Sequence, residues 1–181
     1  KHLDELLNHL DIYWKQNIFT EVYLKLTSNL FCMHSSDLLE YMLQLHHFQT
    51  NVEISTYIDY ANYDPDILAN FSKTRRYEIR NKVNTDYQFA LLESQDEYTE
   101  FYHLLCQALE RFETRPVHTL EELIDLKLNR LGACMKFYGV YKGQKLVAGS
   151  MVFEFSQTKT AHTQYLCRDA DEEYAMVFLY F

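Results

Sequence analysis

Apolar residues recur at helical spacing at both ends of the first fifty residues. Leu3, Leu6, Leu7 and Leu10 follow one another three and four positions apart, which predicts an amphipathic helix at the start of the chain. A second apolar series predicts another helix, which Ser36 would cap: Leu38, Leu39, Met42, Leu43 and Leu45. Residues 18–26 instead alternate between apolar and polar side chains, and residues 51–60 are rich in β-branched and aromatic types. Both of these stretches predict strands.

Helix starts dominate the middle of the chain. Asp64-Pro65 predicts the start of a helix that runs to near Val83, because aspartate caps well and proline suits the first helical position. Residues 87–92 predict a short strand. Two capping boxes follow, one opening at Ser94 with an apolar stripe after it, and one at Thr119. We expect the second helix to continue through residue 131 and to end at Gly132.

The last third of the chain changes to the pattern of β-structure. Residues 134–141, 145–155 and 160–167 predict three strands, and Lys142-Gly143-Gln144 predicts a tight connection between the first two. A final helix is predicted from about Asp171. Helices followed by an antiparallel meander predict an α+β fold.

Composition and charge narrow the class of protein. The chain has 181 residues, 48% hydrophobic and 24% charged, which is ordinary for a globular domain of this size. The net charge of -9 argues against broad nucleic-acid binding but leaves room for a local basic patch. The four cysteines are scattered without zinc-ligand spacing, so we expect reduced thiols, a cytoplasmic location and no metal. No apolar run approaches the roughly 18 residues that a membrane span needs.

From two features of the chain ends we expect this sequence to be a fragment. It begins without methionine and closes on an apolar run, residues 175–181, with no helix stop signal. We therefore expect the last element to be covered by a further segment or by an oligomer partner.

Cations crowd residues 72–82, although the chain as a whole is acidic. On a helix, one face would carry Lys73, Arg76, Tyr77 and Arg80. The opposite side would face a core with Phe71, Ile79 and Val83. A bound anion and a merely solvated helix face are both consistent with such a charge run.

Candidate chemistry concentrates in the last strands. Strict alternation places His162 and Gln164 on one face of the third meander strand and Tyr165 on the other. His162 beside Gln164 suits substrate orientation or proton transfer, and equally a structural hydrogen bond. Tyr165 suits a general acid or a packed aromatic residue. Glu154 suits a general base if buried near an amine, and otherwise a surface residue. The chain has no nucleophile elbow, no P-loop and no Rossmann glycines, so nothing indicates a covalent nucleophile.

In their order, several short motifs resemble those of the GNAT superfamily of acyltransferases. They are the basic helix at 71–80, Pro-Val-His-Thr at 116–119, Leu-Val-Ala-Gly at 146–149 and His-Thr-Gln-Tyr-Leu at 162–166. Within that superfamily the order is similar to the branch of Fem-type (FemAB-like) peptidoglycan-bridge aminoacyltransferases. The resemblance covers residues 57–181 as the acyltransferase domain, truncated at its C-terminal end. Residues 1–56 would form an N-terminal helix-strand-helix-strand portion that packs on it.

The resemblance implies a GNAT-like fold with a mainly antiparallel central sheet flanked by helices. It implies transfer of an acetyl or aminoacyl group to an amine by direct attack, with backbone amides of a splayed strand stabilising the oxyanion. Tyr165 and His162 would line the acyl site, with Glu154 as a further catalytic candidate. The predicted substrate- or cofactor-binding residues are Arg75, Arg76, Arg80, Gln164 and Arg168.

One stretch departs from the family pattern. GNAT enzymes that use acetyl-CoA usually have a glycine-rich turn after this strand, where a helix N-terminus binds the pyrophosphate. Here residues 168–175 contain four acids, no glycine and only Arg168 as a cation. This argues against acetyl-CoA or another acyl-CoA bound in the usual way. An aminoacyl-tRNA donor that contacts the basic helix is one alternative, and a GNAT-like interaction module that has lost catalysis is another.

Overall fold

A computed structural model describes residues 2–34 and 37–181 of the chain. These residues divide into two compact units, Lys1–Ile58 and Asp59–Phe181. Ser36, the predicted cap of the second helix, lies outside the described residues.

The first unit contains the two helices that its apolar spacing predicts. They are α1 (His2–Gln16) and α2 (Leu38–Leu45), and each buries one leucine, Leu7 and Leu43. His46 at the end of α2 contacts the Asp4 carboxylate of α1 at 2.9 Å. Trp14 packs edge-on against Phe48, with ring centroids 6.0 Å apart. The helical predictions for this unit are confirmed.

The two predicted strands of the first unit are wrong. Residues 18–26 and 51–60 form no strand, and their apolar side chains stay in solvent, with Val52 87% and Ile54 93% exposed. Lys25 and Glu53 form an ion pair of 2.8 Å between the two segments. Alternation predicts a strand only where another strand completes its hydrogen bonds, and neither segment has one.

The second unit is built around one antiparallel sheet. Its strands are β1 (Tyr87–Leu92), β2 (Met135–Lys142), β3 (Lys145–Phe155) and β4 (Thr160–Arg168), in the order β1-β2-β3-β4. Its helices are α3 (Lys73–Asn81), α4 (Gln95–Glu110), α5 (Leu120–Asp125) and α6 (Ala175–Tyr180). A π-helical segment, Leu126–Arg130, continues α5.

Helices cover both faces of this sheet. On what we call the α4 face, Phe101, Leu104 and Leu105 of α4 pack against Phe137 and Met151. On the opposite α6 face, Ala175 of α6 packs with buried residues of three strands, namely Tyr87, Val140, Val147 and Ala148. The predicted α+β class, with a mainly antiparallel sheet flanked by helices, is confirmed.

The basic helix begins later than Asp64-Pro65 predicts. Asp66 caps a short 3₁₀ turn, Ile67–Asn70, and the Asn70 amide bonds back to the Asp64 carbonyl at 2.9 Å. These contacts close the turn as a separate unit. The helix then starts after Ser72, whose hydroxyl accepts a hydrogen bond from the Arg75 amide at 3.2 Å. The predicted start is therefore wrong, whereas the predicted end near Val83 is close to the observed one.

The two capping boxes open helices at the predicted positions. Ser94 with Glu97 opens α4, and Thr119 with Glu122 opens α5. The helical path after α5 ends at Leu131, before Gly132 as expected. A Cβ on Gly132 would lie 2.7 Å from the Lys127 carbonyl oxygen, so close backbone approach explains this glycine. The last helix starts at Ala175 rather than at Asp171, because residues 169–174 form a turn of their own.

Candidate active site

A β-bulge interrupts β4 at the residues that the sequence singles out. Met151 pairs with Tyr165 and the next residue of β3, Val152, pairs with Thr163, so Gln164 is the extra residue. Strict alternation therefore fails here. Because Tyr165 and His162 lie opposite Met151 and Phe153, both belong to the α4 face rather than to opposite faces. Bulges of this kind re-aim side chains and are frequent beside active sites.

Tyr165 is bonded to a histidine from a distant part of the chain. Its hydroxyl lies 2.8 Å from Nδ1 of His118, and the two rings meet edge-on with centroids 6.0 Å apart. The Tyr102 hydroxyl of α4 donates to the His118 carbonyl at 3.2 Å. Three elements, β4, α4 and the segment before α5, thus converge on one half-buried polar cluster.

Local hydrogen bonds hold His118 in this place. The next residue, Thr119, is the N-cap of α5, and its hydroxyl accepts the Glu122 amide while the Glu122 carboxylate accepts the Thr119 amide. The sequence shows the cap but not the contact with Tyr165, which lies 47 residues away. Sequence spacing alone treats His118 as a lone histidine. Its position directly before a capping box was the one signal that its backbone is rigid.

Tyr102 stays protonated in this cluster. Burial raises its pKa above the ordinary value, and the neighbouring Cys106 thiol, the Glu121 carboxylate and Tyr165 raise it further. A neutral phenol donates a hydrogen bond well, and the Tyr102 hydroxyl donates to the backbone carbonyl of His118. Its role in the arrangement is therefore to fix the histidine.

A surface cleft of about 550 Å³ opens beside Tyr102. The end of α4 and the loop after it form its walls, with Tyr102, Cys106, Glu110, Glu113, Thr114, Arg115 and Pro116. Glu113 has a φ of 54°, a left-handed conformation that few non-glycine residues adopt. Of the His118–Tyr165–Tyr102 cluster, only Tyr102 lines this cleft.

The polar neighbours predicted on β4 are close together. His162 Nε2 lies 3.3 Å from the Gln164 side-chain oxygen, and His162 is exposed whereas Gln164 is half-buried. The structure therefore brings three predicted site residues, His162, Gln164 and Tyr165, onto one bulged segment.

Glu154 lies apart from them. It belongs to the α6 face, where it accepts a hydrogen bond from the Tyr138 hydroxyl. Burial, and then this bond and the glutamate charge, raise the pKa of Tyr138 to about 12. The sheet separates Glu154 from Tyr165, so the two carry out no step together in this arrangement.

The arginines of the basic helix are partly engaged within the unit. Arg75 pairs with Glu78 at 2.7 Å, and the Arg76 guanidinium donates to the Phe71 carbonyl at 2.8 Å. Arg80 is exposed in the last turn of α3. Helix α3 contacts α6, and α6 lies on the sheet face opposite Tyr165.

Lysines of the same unit pair with two of the four acids in the turn after β4. Lys145 pairs with Asp169 at 2.5 Å, and Lys142 pairs with Glu172 at 2.6 Å. The Tyr87 hydroxyl also donates to Glu172 at 2.6 Å. These contacts lower the pKa of both carboxyl groups, with the lysine hydrogen bond as the largest cause in each.

The same turn also uses its own cation and one of its amides. The Arg168 guanidinium donates to the carbonyls of Asp169 and Ala170, at 2.9 and 3.1 Å. The Asp169 carboxylate accepts the Asp171 amide at 3.0 Å, so this amide is not available to an anionic ligand. A diphosphate does not fit this turn, because an internal carboxylate already takes the amide and the surrounding acids repel a further anion.

Two other features bear on the class of site. Within residues 2–34 and 37–181, no three His, Cys, Asp or Glu side chains group closely enough to hold a metal ion. Of the helices in the same ranges, none combines the length and the apolarity that crossing a membrane requires.

No protein-family model matches this chain, and no curated protein matches it significantly. Among solved structures, it is similar to an aminoglycoside acetyltransferase from an uncultured soil metagenomic sample in complex with sisomicin. That match has a TM-score of 0.40 and 17% identity, and it covers 52% of this chain and 65% of that chain. The same enzyme in complex with trehalose matches with a TM-score of 0.40 and 18% identity, over 55% of this chain and 68% of that chain.

An acetyltransferase from Thermus thermophilus matches with a TM-score of 0.38 and 14% identity, over 48% of this chain and 58% of that chain. The aligned part thus spans less than two thirds of the sisomicin-bound enzyme and of the Thermus enzyme. None of the three is described as a Fem-type aminoacyltransferase. These three solved structures are acetyltransferases, similar to this chain at low identity and over about half of its length.

Proposed function

We propose that residues 57–181 form part of an N-acyltransferase domain that moves an acyl group to an amine by direct attack. The observation that carries the proposal is the bulge of β4, which brings His162 onto the α4 face that half-buried Tyr165 occupies, at an edge strand of the described sheet. An edge strand presents backbone N–H groups that are not used by the sheet, and a developing oxyanion needs such donors. The motif order of the GNAT superfamily, including its Fem-type branch, supports the same assignment.

The chemistry needs few groups. An amine that enters by the cleft beside Tyr102 attacks the acyl carbon of a donor laid along β4, and the donor's leaving group departs. Backbone amides at the bulge stabilise the oxyanion, and the Tyr165 oxygen accepts the proton of the amine. His162 and Gln164 orient the acyl group from the same strand. Glu154 lies on the other face of the sheet, so its predicted catalytic role has no geometric support.

The turn after β4 bears on the class of acyl donor. The filled turn at 169–174 argues against a diphosphate there, so no step is assigned to coenzyme A. A donor that lacks a diphosphate at this position suits the turn, and an aminoacyl-tRNA is one of that class. Exposed Arg80 is the residue of the basic helix that is best placed to meet its phosphates, while Arg75 and Arg76 have internal partners. The four free cysteines agree with a reducing compartment such as the cytoplasm.

A comparison of donors tests both the reaction and the donor class. The protein is incubated with a diamine and either acetyl-CoA or S-acetyl-N-acetylcysteamine, a thioester without nucleotide, and the acetylated amine is measured by mass spectrometry. Aminoacyl-tRNA is tested in parallel, with Arg80→Glu as the variant that removes the proposed phosphate contact. We expect comparable kcat/KM for the two thioesters, because the diphosphate adds no binding. Saturation by acetyl-CoA alone would contradict the misfit, and no product from any donor would contradict acyl transfer.

The second candidate is an interaction module that has kept the fold and lost catalysis. The turn after β4 favours it, because Lys142 and Lys145 already pair with Glu172 and Asp169 and are not available to a donor phosphate. This candidate predicts that acyl donors neither react nor change the thermal unfolding midpoint of the protein. A donor-dependent shift of that midpoint would exclude it.

A further inference from the structure

On the α4 face, the titratable side chains of His118 and Tyr165 are in direct contact. Their contact of 2.8 Å joins Nδ1 to the phenol oxygen, and both residues are half-buried. The contact joins two residues whose backbones are each held in place by other interactions. Thr119 caps α5 directly after His118, and Tyr165 is fixed opposite Met151 beside the bulge.

The direction of the hydrogen bond matters for what the pair can do. If the Tyr165 hydroxyl donates, Nδ1 of His118 is the unprotonated nitrogen and Nε2 carries the proton; this tautomer is assigned from the contact. In that state the tyrosine oxygen has lone pairs free for an approaching N–H group, and His118 can take the phenol proton. The pair is then a two-step path for one proton.

Titratable groups beside the pair come from the elements packed next to it. Tyr102 of α4 bonds the His118 carbonyl, and it interacts with Cys106 of α4, Glu121 of α5 and Tyr165 of β4. Tyr102 is held neutral by burial and by these neighbours, so it does not compete for the proton. The Glu121 carboxylate acts on Tyr102, where its negative charge favours the neutral phenol.

We propose that His118 accepts, through Tyr165, the proton released when an amine attacks the acyl donor; this rests on the acyltransferase function proposed above. As the C–N bond forms, the amine N–H passes its proton to the Tyr165 oxygen and the Tyr165 hydroxyl passes its proton to His118 Nδ1. The bond between the acyl carbon and the leaving group breaks with its electron pair, and the imidazolium returns a proton to the departing group. Tyr165 touches the substrate, and His118 is a positioning residue that acts through it.

The test compares three variants across pH with the donor and diamine that give product. His118→Gln removes the proton acceptor and keeps a polar side chain, and Tyr165→Phe removes the connecting hydroxyl. His103→Gln is the matched control, because His103 is an exposed histidine of α4 away from the pair. We expect His118→Gln to lower kcat/KM by about 10²- to 10⁴-fold and to abolish the acid limb of its pH profile. A double variant, His118→Gln with Tyr165→Phe, is made in addition to these three and should lose no more activity than Tyr165→Phe alone.

The possible outcomes distinguish failure of the proton path from failure of the acyl-transfer function on which it rests. If wild-type protein makes no product with any donor, acyl transfer fails and the proton path falls with it. If wild-type protein is active and His118→Gln keeps both its rate and its acid limb, only the proton path is overturned. Should His118→Gln fold poorly by circular dichroism, Tyr165→Phe decides instead. An unchanged rate and pH profile in that variant would equally overturn the path.

Discussion

Replacing Gly149 with alanine should destabilise the second unit by overpacking its core. A Cβ built on Gly149 lies 2.6 Å from Cδ2 and 2.9 Å from Cε2 of the Phe101 ring. Phe101 is 0% exposed, and its ring also meets that of Phe137 edge-on at 5.1 Å, so it has no room to move aside. Overpacking of this kind typically costs about 1–3 kcal/mol, and we expect Gly149→Ala to lower the free energy of unfolding by that amount.

The assay is urea denaturation followed by far-ultraviolet circular dichroism, in wild-type and Phe101→Leu backgrounds. The smaller leucine removes the ring atoms that the new methyl meets, so Gly149→Ala should be about 0.5–3 kcal/mol less harmful in that background. Gly143→Ala is the matched control, because its Cβ meets nothing within 4 Å and its φ of +63° brings strain unrelated to Phe101. Equal losses for Gly149→Ala in both backgrounds would refute the contact with Phe101.

Two further predictions concern the turn and the helix caps. Because Lys145 holds the pKa of Asp169 below its usual range, the Asp169 carboxylate stabilises the fold above about pH 4, and this contribution disappears as the pH falls through the lowered value. Asp169→Asn should therefore flatten the acid side of a stability-against-pH curve; equal curves for Asp169→Asn and wild type would contradict the ion pair. Ser94→Ala and Thr119→Ala should each lower stability by about 1 kcal/mol, as measured in urea. Only Thr119→Ala should also lower the acyl-transfer rate, since it loosens His118, and equal rates in the two variants would count against that link.

Local signals predicted the parts of the fold that local hydrogen bonds decide. Both capping boxes place their helix starts correctly, because the serine or threonine and the glutamate bond to amides only three residues away. The hairpin at Gly143 is equally local, since its positive φ favours glycine. The glycine of the Leu-Val-Ala-Gly motif at 146–149 gains a physical reason only from the structure, where the Phe101 ring occupies the space of its side chain.

Features that depend on distant partners could not be predicted from the pattern. Residues 18–26 alternate like a strand but have no strand to pair with, so the local signal is not realised. The bulge at Gln164 depends on the register between β3 and β4, and it moves His162 onto the face of Tyr165, which strict alternation denies. The contact of Tyr165 with His118 spans 47 residues and leaves no spacing in the sequence.

The rate of amide formation in a Tyr165→Phe variant tests the account most directly. The variant removes one hydroxyl from the bulge of β4, and Tyr141→Phe is its matched control, because that hydroxyl contacts Glu100 at 3.3 Å within the packed unit. With the donor that supports turnover, we expect Tyr165→Phe to form acylated amine about 10²- to 10⁴-fold more slowly than wild type and Tyr141→Phe to stay near the wild-type rate. A folded Tyr165→Phe protein that works at the wild-type rate would contradict an acyl-transfer site at this strand.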